Sequence, residues 1–475
     1  MVRRALQLVW VLTLHGAGWL LELAGQRRLV ALGRRALGRP RRDERSTPAE
    51  HLRRALEELG PTFVKLGQLL SSRADVLPPS YQAELARLQD AAPPEPPGTV
   101  EAIVEAELGR PLAEVFARFD PVPLAAASIG QAHAATLAGG EAVVVKVRRP
   151  GAVALVEVDL AVLESAVRHV SRWVGTARRL DVAGLVGELA RTLRAELDYE
   201  AEAAHAERIA ADFAGDPTVH VPAVHREAST GRVITLERVA GIKVSDLAAL
   251  EAAGVDRPAL ARHIVDVVLT MVFERGFFHA DPHPGNLFAE PDGRLGLVDF
   301  GMVGVLTPAT RARLVRVFIA TSGADAAALA RELLGLGTAT RPVDRDRLVR
   351  DLDRVLEQLT GGPLGEVRLG PLLQAELGTV RRHGLRLPAE LALLVKTAAM
   401  TEGLAAILDP DFMLLPAFAP YAAHLLGPGA PGVDEDAAPL PVPEAEPRSL
   451  ARVLLPAAGA AGVVLAVRRC RRRRA

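Results

Sequence analysis

From residue 49 to 90 apolar side chains recur every three to four positions, the spacing of a helix face. The run is broken at Gly60-Pro61 and at Pro78-Pro79. Its start is marked by Ser46-Thr47-Pro48-Ala49-Glu50, with Thr47 as a cap and Pro48 in the first turn. Asp90 to Gly98 (DAAPPEPPG) reads as a linker, and two helical segments follow to about Phe119. The period then changes. Residues 122–149 and 219–240 contain β-type runs, notably Glu141–Val147 and Arg232–Glu237. Between them, 152–214 is helical and long for a single connection. Helices dominate from 246 onward, interrupted by a strand–turn–strand around Leu287–Phe300 whose turn, Pro291-Asp292-Gly293, is a hairpin signal. Residues 302–427 read as helical again.

The two ends follow a different pattern. Residues 5–25 are mostly apolar, but Gln7, His15, Glu22 and three glycines interrupt them, so they predict an amphipathic or packed helix in preference to a membrane anchor. Near the other end, Val453–Val467 is an uncharged stretch containing Pro456, bounded by Arg452 and by the cluster that opens at Arg468. As a helix it would span about 22 Å, short of the roughly 30 Å hydrocarbon core. With snorkelling arginines it is expected to form a short C-terminal anchor or re-entrant hairpin. The Arg cluster would then lie on the cytoplasmic side and attract anionic lipid. Gly427 to Pro447 is a Pro- and acid-rich linker, and there is no internal repeat.

Composition sharpens this picture. The chain of 475 residues is 49% hydrophobic and 24% charged, which excludes a disordered or fibrous protein and leaves room for two or three domains. A single cysteine, Cys470, excludes a disulfide framework and cysteine-rich metal sites, and fits a reducing compartment. A net charge of zero argues against a general nucleic-acid binder. The charge is nevertheless segregated. Residues 1–45 carry ten Arg against Glu22, Asp43 and Glu44, and the last eight residues carry six Arg, so the body between them is acidic. The chain has 53 Arg and only four Lys, namely Lys65, Lys146, Lys243 and Lys396. Such a bias suggests a GC-rich, bacterial genome. A lysine that survives it suggests a place where a compact ammonium is needed.

The segment richest in chemistry is His279-Ala-Asp281-Pro-His283-Pro-Gly-Asn286, followed by Leu297-Val-Asp299-Phe300-Gly301. Phosphoryl transfer from ATP needs a carboxylate facing the incoming hydroxyl, and an amide oxygen plus a second carboxylate to hold Mg²⁺ against the phosphates. Asp281, Asn286 five residues on and Asp299 thirteen beyond that match the spacing of the catalytic loop and the DFG motif of protein kinases. Lys146, in Val143-Val-Val-Lys146-Val147, has the form of the strand lysine that grips nucleotide phosphates. Buried among strand residues it would need phosphates and a helix carboxylate as partners. Where a Gly-rich phosphate loop is expected stand Ala125, Ala126, Ala127 and Ser128. Their methyl groups limit close backbone approach to a phosphate and predict altered nucleotide affinity.

Over residues 48–412 the chain resembles the UbiB/AarF family of atypical protein-kinase-like proteins. The resemblance rests on Lys65-Leu-Gly67-Gln68 (the K-x-G-Q signature), the Ala125–Ser128 loop, Lys146 with Arg149-Pro150-Gly151, Glu196-Leu-Asp198 (E-x-D), Glu202-Ala-Ala, His279–Asn286 and Asp299–Gly301. The late segment from Lys396 to Glu402 and Leu408-Asp-Pro410 also looks familial. It implies an α+β, two-lobed, helix-rich kinase-like fold with a helical N-terminal extension and a C-terminal apolar tail. It implies nucleotide (ATP or ADP) and Mg²⁺ as cofactors, with a role in isoprenoid quinone biosynthesis or lipid homeostasis. It also implies that Lys65 and Gln68 lie across the nucleotide site with Glu196 and Asp198 nearby. Glu202 is favoured as the partner of Lys146, and Glu196 or Asp198 as that of Lys65. In these terms Asp281, Lys146 and Glu202 are the catalytic set, Asn286 and Asp299 the metal ligands, and Ala125–Ser128, Lys146, Lys65, Gln68, Glu196 and Asp198 the nucleotide-facing set.

The chain also departs from the kinase pattern. His283 stands where protein kinases carry a lysine two residues after the catalytic aspartate, and few residues separate Gly301 from Thr307-Pro308, which leaves no room for a long activation segment. Peptide docking of the usual kind is therefore not expected, and the acceptor could be a small molecule, a lipid or water. The expected organisation is a basic, apolar N-terminal helix (1–45), a helical extension (46–120), an N-lobe with a long helical insert (121–245), a C-lobe (246–426), the linker (427–447) and an apolar segment with a polybasic tail (448–475). The expected partners are nucleotide, anionic membrane lipid, a lipid or quinone-precursor substrate and quinone-synthesis proteins, at the cytoplasmic face of a bacterial membrane. The alternative is a nucleotide-binding pseudokinase that acts as a switch or scaffold in such a complex.

Overall fold

The computed structural model describes residues 47–71, 77–88, 92–173, 182–359 and 369–421 apart from 415, 416 and 419, together with Arg4, Gln7 and Val11. The expected helix at 5–25 (Gln7 and Val11 apart), the linker 427–447 and the tail 448–475 lie outside the described residues.

The N-terminal extension consists of α1 (Pro48–Leu59), α2 (Pro61–Ser71) and α3 (Pro79–Leu85). Thr47 caps α1 in a reciprocal box, its hydroxyl accepting from Glu50 N while the Glu50 carboxylate accepts from Thr47 N. Leu56, Leu59, Phe63, Leu85 and Leu88 bury the three helices against one another, with Val11 in the same core. Arg4 closes this layer. Its guanidinium donates to both oxygens of buried Asp159 at 2.7 and 2.8 Å and to Leu59 O at 2.6 Å.

Helices α4 (Thr99–Leu108) and α5 (Leu112–Val115) lead into β1 (Phe116–Ala126), which pairs antiparallel with β2 (Gly130–Leu137), β3 (Ala142–Arg148) and β5 (Val233–Glu237) in the order β1-β2-β3-β5. Helix was expected to about Phe119, but the chain turns to strand at Phe116, where Phe116 and Phe119 pack edge to face. The period of two on β3 fixes the site. Val143, Val145 and Val147 point into the core with α4, which sets Lys146 on the opposite face.

Among the described residues of 152–214 lie the helices α6 (Ala152–Trp173), α7 (Val182–Glu196) and α8 (Tyr199–Asp212). A second sheet has the order β4 (Val219–His220), β9 (Leu295–Leu297), β8 (Leu287–Ala289), β6 (Ile242–Lys243). β8 and β9 are joined by the expected turn, closed by Glu290 N to Arg294 O at 3.0 Å. The chain passes from the first sheet to the second through residues 238–241.

Below the second sheet lie α9 (Leu247–Ala252), α10 (Arg257–Leu269), the pair β7 (Phe277–His279) and β10 (Val303–Val305), then α11 (Pro308–Ser322) and α12 (Ala326–Leu336). The last elements are β11 (Thr338–Ala339), α13 (Arg345–Leu359), α14 (Leu369–Arg382), β12 (Leu385–Arg386) and α15 (Ala389–Leu408). Among its described residues, the stretch expected to be wholly helical thus carries three short strands, β10 and the β11–β12 pair. α15 is long and apolar enough to cross a membrane, with a mean hydropathy of 1.6. In the fold it packs on α10, α14 and β10, with Leu391, Leu404, Ala405 and Leu408 in the core.

Candidate active site

On its outward face Lys146 meets α8. Its Nζ lies 2.5 Å from Glu202 Oε1 and 4.0 Å from Asp299 Oδ1. Burial alone would depress the Lys146 pKa, but the charges of Asp299 and Glu202 outweigh it and hold the ammonium above its ordinary value. Asp299 is held below the usual carboxylate range, chiefly by Lys146 and against the effect of burial, with His279, the Gly301 N–H and Lys65 adding to the shift. Beneath this pair lies Tyr199, its hydroxyl pushed up by burial. A Cβ at Gly130, where β2 begins, would stand 2.4 Å from the Tyr199 oxygen, so a glycine is needed for that close approach.

Asp299 has φ 67°, and among the described residues only it and Ala324 are non-glycines with positive φ. Such a backbone costs on the order of 1 kcal/mol. The ion pair to Lys146 and the 3.5 Å bond from Gly301 N to Asp299 Oδ1 help to hold it there. The next residue is fastened too, for Phe300 O lies 3.0 Å from Nδ1 of His205, one turn beyond Glu202 on α8.

His279 organises the loop below. Its Nδ1 accepts from Asp281 N at 3.1 Å, which leaves Nε2 as the donor to Val298 O at 3.2 Å. One imidazole therefore ties Asp281 to the strand end before Asp299. The β8–β9 register sets Leu287 opposite Leu297, and Val298 N donates to Asn286 O at 2.9 Å, so Asn286 is brought beside Val298–Asp299. Asn286 Nδ2 donates to Asp281 O at 3.2 Å, which leaves its Oδ1 as an acceptor. An amide oxygen and a half-exposed carboxylate are oxygen donors of the kind Mg²⁺ takes. Asn286 and Asp299 thus fit a divalent cation in donor chemistry.

The remaining sequence candidates fall in three places. Lys65 on α2 forms an ion pair with Glu196 at the end of α7. Gln68 is directed elsewhere, its Nε2 donating to Leu88 O at 3.2 Å within the extension. Asp198 caps α8 by accepting from Ala201 N at 3.0 Å. Ala125 and Ala126 belong to the end of β1, and Ala127 with Ser128 forms the turn to β2. That turn is braced by Arg149, which donates to Ala127 O at 2.8 Å, to Glu95 Oε1 at 2.5 Å and to Pro93 O at 2.7 Å. Between Lys65 and Gln68, Gly67 is pressed on the extension core. A Cβ there would come within 2.2 Å of Leu88 Cδ1 and 2.7 Å of Leu56 Cδ1.

The sequence reading assigned no role to Tyr199, His205 or the Lys396 side chain. Lys396 Nζ donates to Asp281 Oδ1 at 2.9 Å. Its signal was present in the chain as one of only four lysines.

A β-sheet lysine paired with a helix glutamate, set over an Asp-x₄-Asn loop and an Asp-Phe-Gly turn, is the framework of a protein-kinase-like protein. Residues 87–333 match the family model of the ABC1 atypical kinase-like domain, and residues 352–413 that of the UbiB helical domain. The chain is 38% identical over 386 residues to the "Probable protein kinase UbiB" of Azotobacter vinelandii, covering 80% of this chain and 72% of that one. It is 36% identical over 383 residues to "Uncharacterized protein sll1770" of Synechocystis, covering 80% of this chain and 66% of that one, just under two thirds. A solved structure titled as the complex of Rv3197 with erythromycin from Mycobacterium tuberculosis is 26% identical, with a TM-score of 0.49, covering 76% of this chain and 92% of that one. The chain belongs to the UbiB group of the ABC1 atypical kinase-like family.

Proposed function

We propose that the chain is a Mg-ATP-dependent phosphotransferase or ATPase of the UbiB type, working at an anionic membrane surface in support of isoprenoid quinone biosynthesis or lipid homeostasis. The observation that carries the reading is the gathering of Lys146, Glu202 and Asp299 opposite Asp281 and Asn286. In this reading Lys146, held by Glu202, grips the nucleotide phosphates, and Asp281 accepts the proton of the attacking hydroxyl or positions a water. Asn286 and Asp299 are the metal ligands; bound Mg²⁺ would supply charge neutralisation on the phosphates. The Ala125–Ser128 turn covers the nucleotide, and α2 with Lys65 closes the site against bulky acceptors, which favours a small molecule, a lipid or water. The kinase part of the reading is supported by the name of the Azotobacter relative, "Probable protein kinase UbiB", and the quinone role rests on the family resemblance. The pseudokinase alternative is disfavoured because a scaffold has no physical need for Asp281.

The test is ATP hydrolysis by purified full-length protein with Mg-ATP and anionic lipid vesicles. Replacing the positioned base, Asp281→Asn, is expected to lower the rate about 10²-fold or more. Equal background rates in the two proteins would sink the enzyme reading.

A further inference from the structure

We propose that Lys396 is the phosphoryl-facing cation of the transfer site, supplied from the helical region after the kinase-like domain in place of the lysine that kinases carry two residues beyond the catalytic aspartate. The inference rests on the phosphotransfer reading and adds to it a residue and a contact.

The usual position for that cation is His283, whose ring is exposed and whose Nδ1 accepts the backbone N–H of Gly285 at 3.1 Å. The charge arrives instead from α15. Lys396 Nζ lies 2.9 Å from Asp281 Oδ1. An ammonium has three donors, and only one is used on Asp281. The side chain is 42% exposed, so the others stay open to a ligand. The helix that presents it is fixed on both sides. Thr397 Oγ1 lies 3.2 Å from Ala280 O, the residue before Asp281, and Glu402 Oε2 accepts from Gly370 N at 2.7 Å on α14.

A stabilising ion pair is a poor account of this contact, since half-exposed pairs contribute little. The chain also writes almost every cation as Arg, yet keeps a point charge here. A transferring phosphoryl group spreads negative charge over its outer oxygens and requires a cation there. In the step so assisted, the acceptor hydroxyl oxygen forms a bond to the γ-phosphorus. The bond from that phosphorus to the β,γ-bridging oxygen breaks, its electron pair leaving on ADP, and the hydroxyl proton passes to Asp281. Lys396 keeps its proton and donates both to Asp281 and to a γ-phosphoryl oxygen. It meets no part of ADP.

The deciding measurement is calorimetric affinity for Mg-AMP-PNP and for Mg-ADP in full-length wild type, Lys396→Met, Lys396→Arg and Lys396→Met with His283→Lys. Lys396→Met is expected to weaken AMP-PNP about tenfold, the loss of one charged hydrogen bond, and to leave ADP unchanged. Its melting temperature should stay within about 2 °C of wild type, as for an exposed pair. Arg should restore part of the loss, and the lysine placed at 283 most of it. An unchanged ratio of the two affinities in Lys396→Met overturns the proposal whatever the turnover. A shifted ratio in a protein whose ATP hydrolysis is indifferent to Asp281→Asn keeps the Lys396 contact and removes the phosphotransfer reading.

Discussion

Asp299 combines three demands in one residue: a carboxylate for a cation, an ion pair with Lys146 and a left-handed backbone. Asn tolerates that backbone almost as well as Asp, whereas Ala does not. Asp299→Asn should therefore keep the fold and lose the Mg²⁺ dependence of nucleotide binding. Asp299→Ala should lose both that dependence and about 1 kcal/mol of stability relative to Asn. Calorimetric titration with and without Mg²⁺, beside urea melts, checks the pair; unchanged Mg²⁺ dependence in Asp299→Asn would remove the metal assignment. At this scale the sequence was informative wherever chemistry imposes a spacing. Asp281, Asn286 and Asp299 lie on one short loop and hairpin, so their separation in the chain survives in space. Lys396 is 115 residues from Asp281, and no local pattern encodes a contact made where a distant helix packs on the loop. The same holds for His205 on Phe300.

Among the elements, long periodic ones were legible and short ones were not. The strands β4, β6, β11 and β12 have two residues each, only a single period of alternation, and exist because a neighbour offers backbone partners. β1 was read as starting late because Leu112–Val115 extends the helical spacing up to its edge. One element carries a pH signature. On α14, Glu376 is 2% exposed and accepts from Thr321 Oγ1 on α11 at 3.0 Å. Burial raises its pKa from 4.5 to about 7, against the effect of the Thr321 bond. Below about pH 4.5 the carboxyl is protonated in both folded and unfolded chains and contributes no pH-dependent penalty. As pH climbs towards 7 the unfolded chain ionises first, so the fold loses stability. Glu376→Gln keeps an acceptor for Thr321 without the charge. It should match wild type near pH 4.5 and exceed it above pH 7 by on the order of 3 kcal/mol, read from urea melts at each pH. A difference that stays flat with pH would contradict the burial account.

For the whole molecule, the acidic body between basic ends remains the basis for expecting a peripheral or anchored protein at an anionic surface. The apolar helix described within the fold, α15, holds Lys396 against the catalytic loop, so the anchor is sought in the segment after Pro447. A chain ending at Pro447 should remain in the supernatant when spun with anionic vesicles at low salt, while the full chain sediments with them. A full chain that stays free of vesicles would end that expectation. The lysine count, which pointed to three motif positions, was legible in the sequence; the arrangement around Asp299 was not. Phe300 is tied to α8 by His205, and Val303, two residues after Gly301, is already laced to the strand of His279. An aspartate whose following residues are fastened in this way has little latitude to swing aside and mark an idle state. Control in such a molecule would then fall to what enters the site, the role proposed above for α2, whose Lys65 is clasped to Glu196.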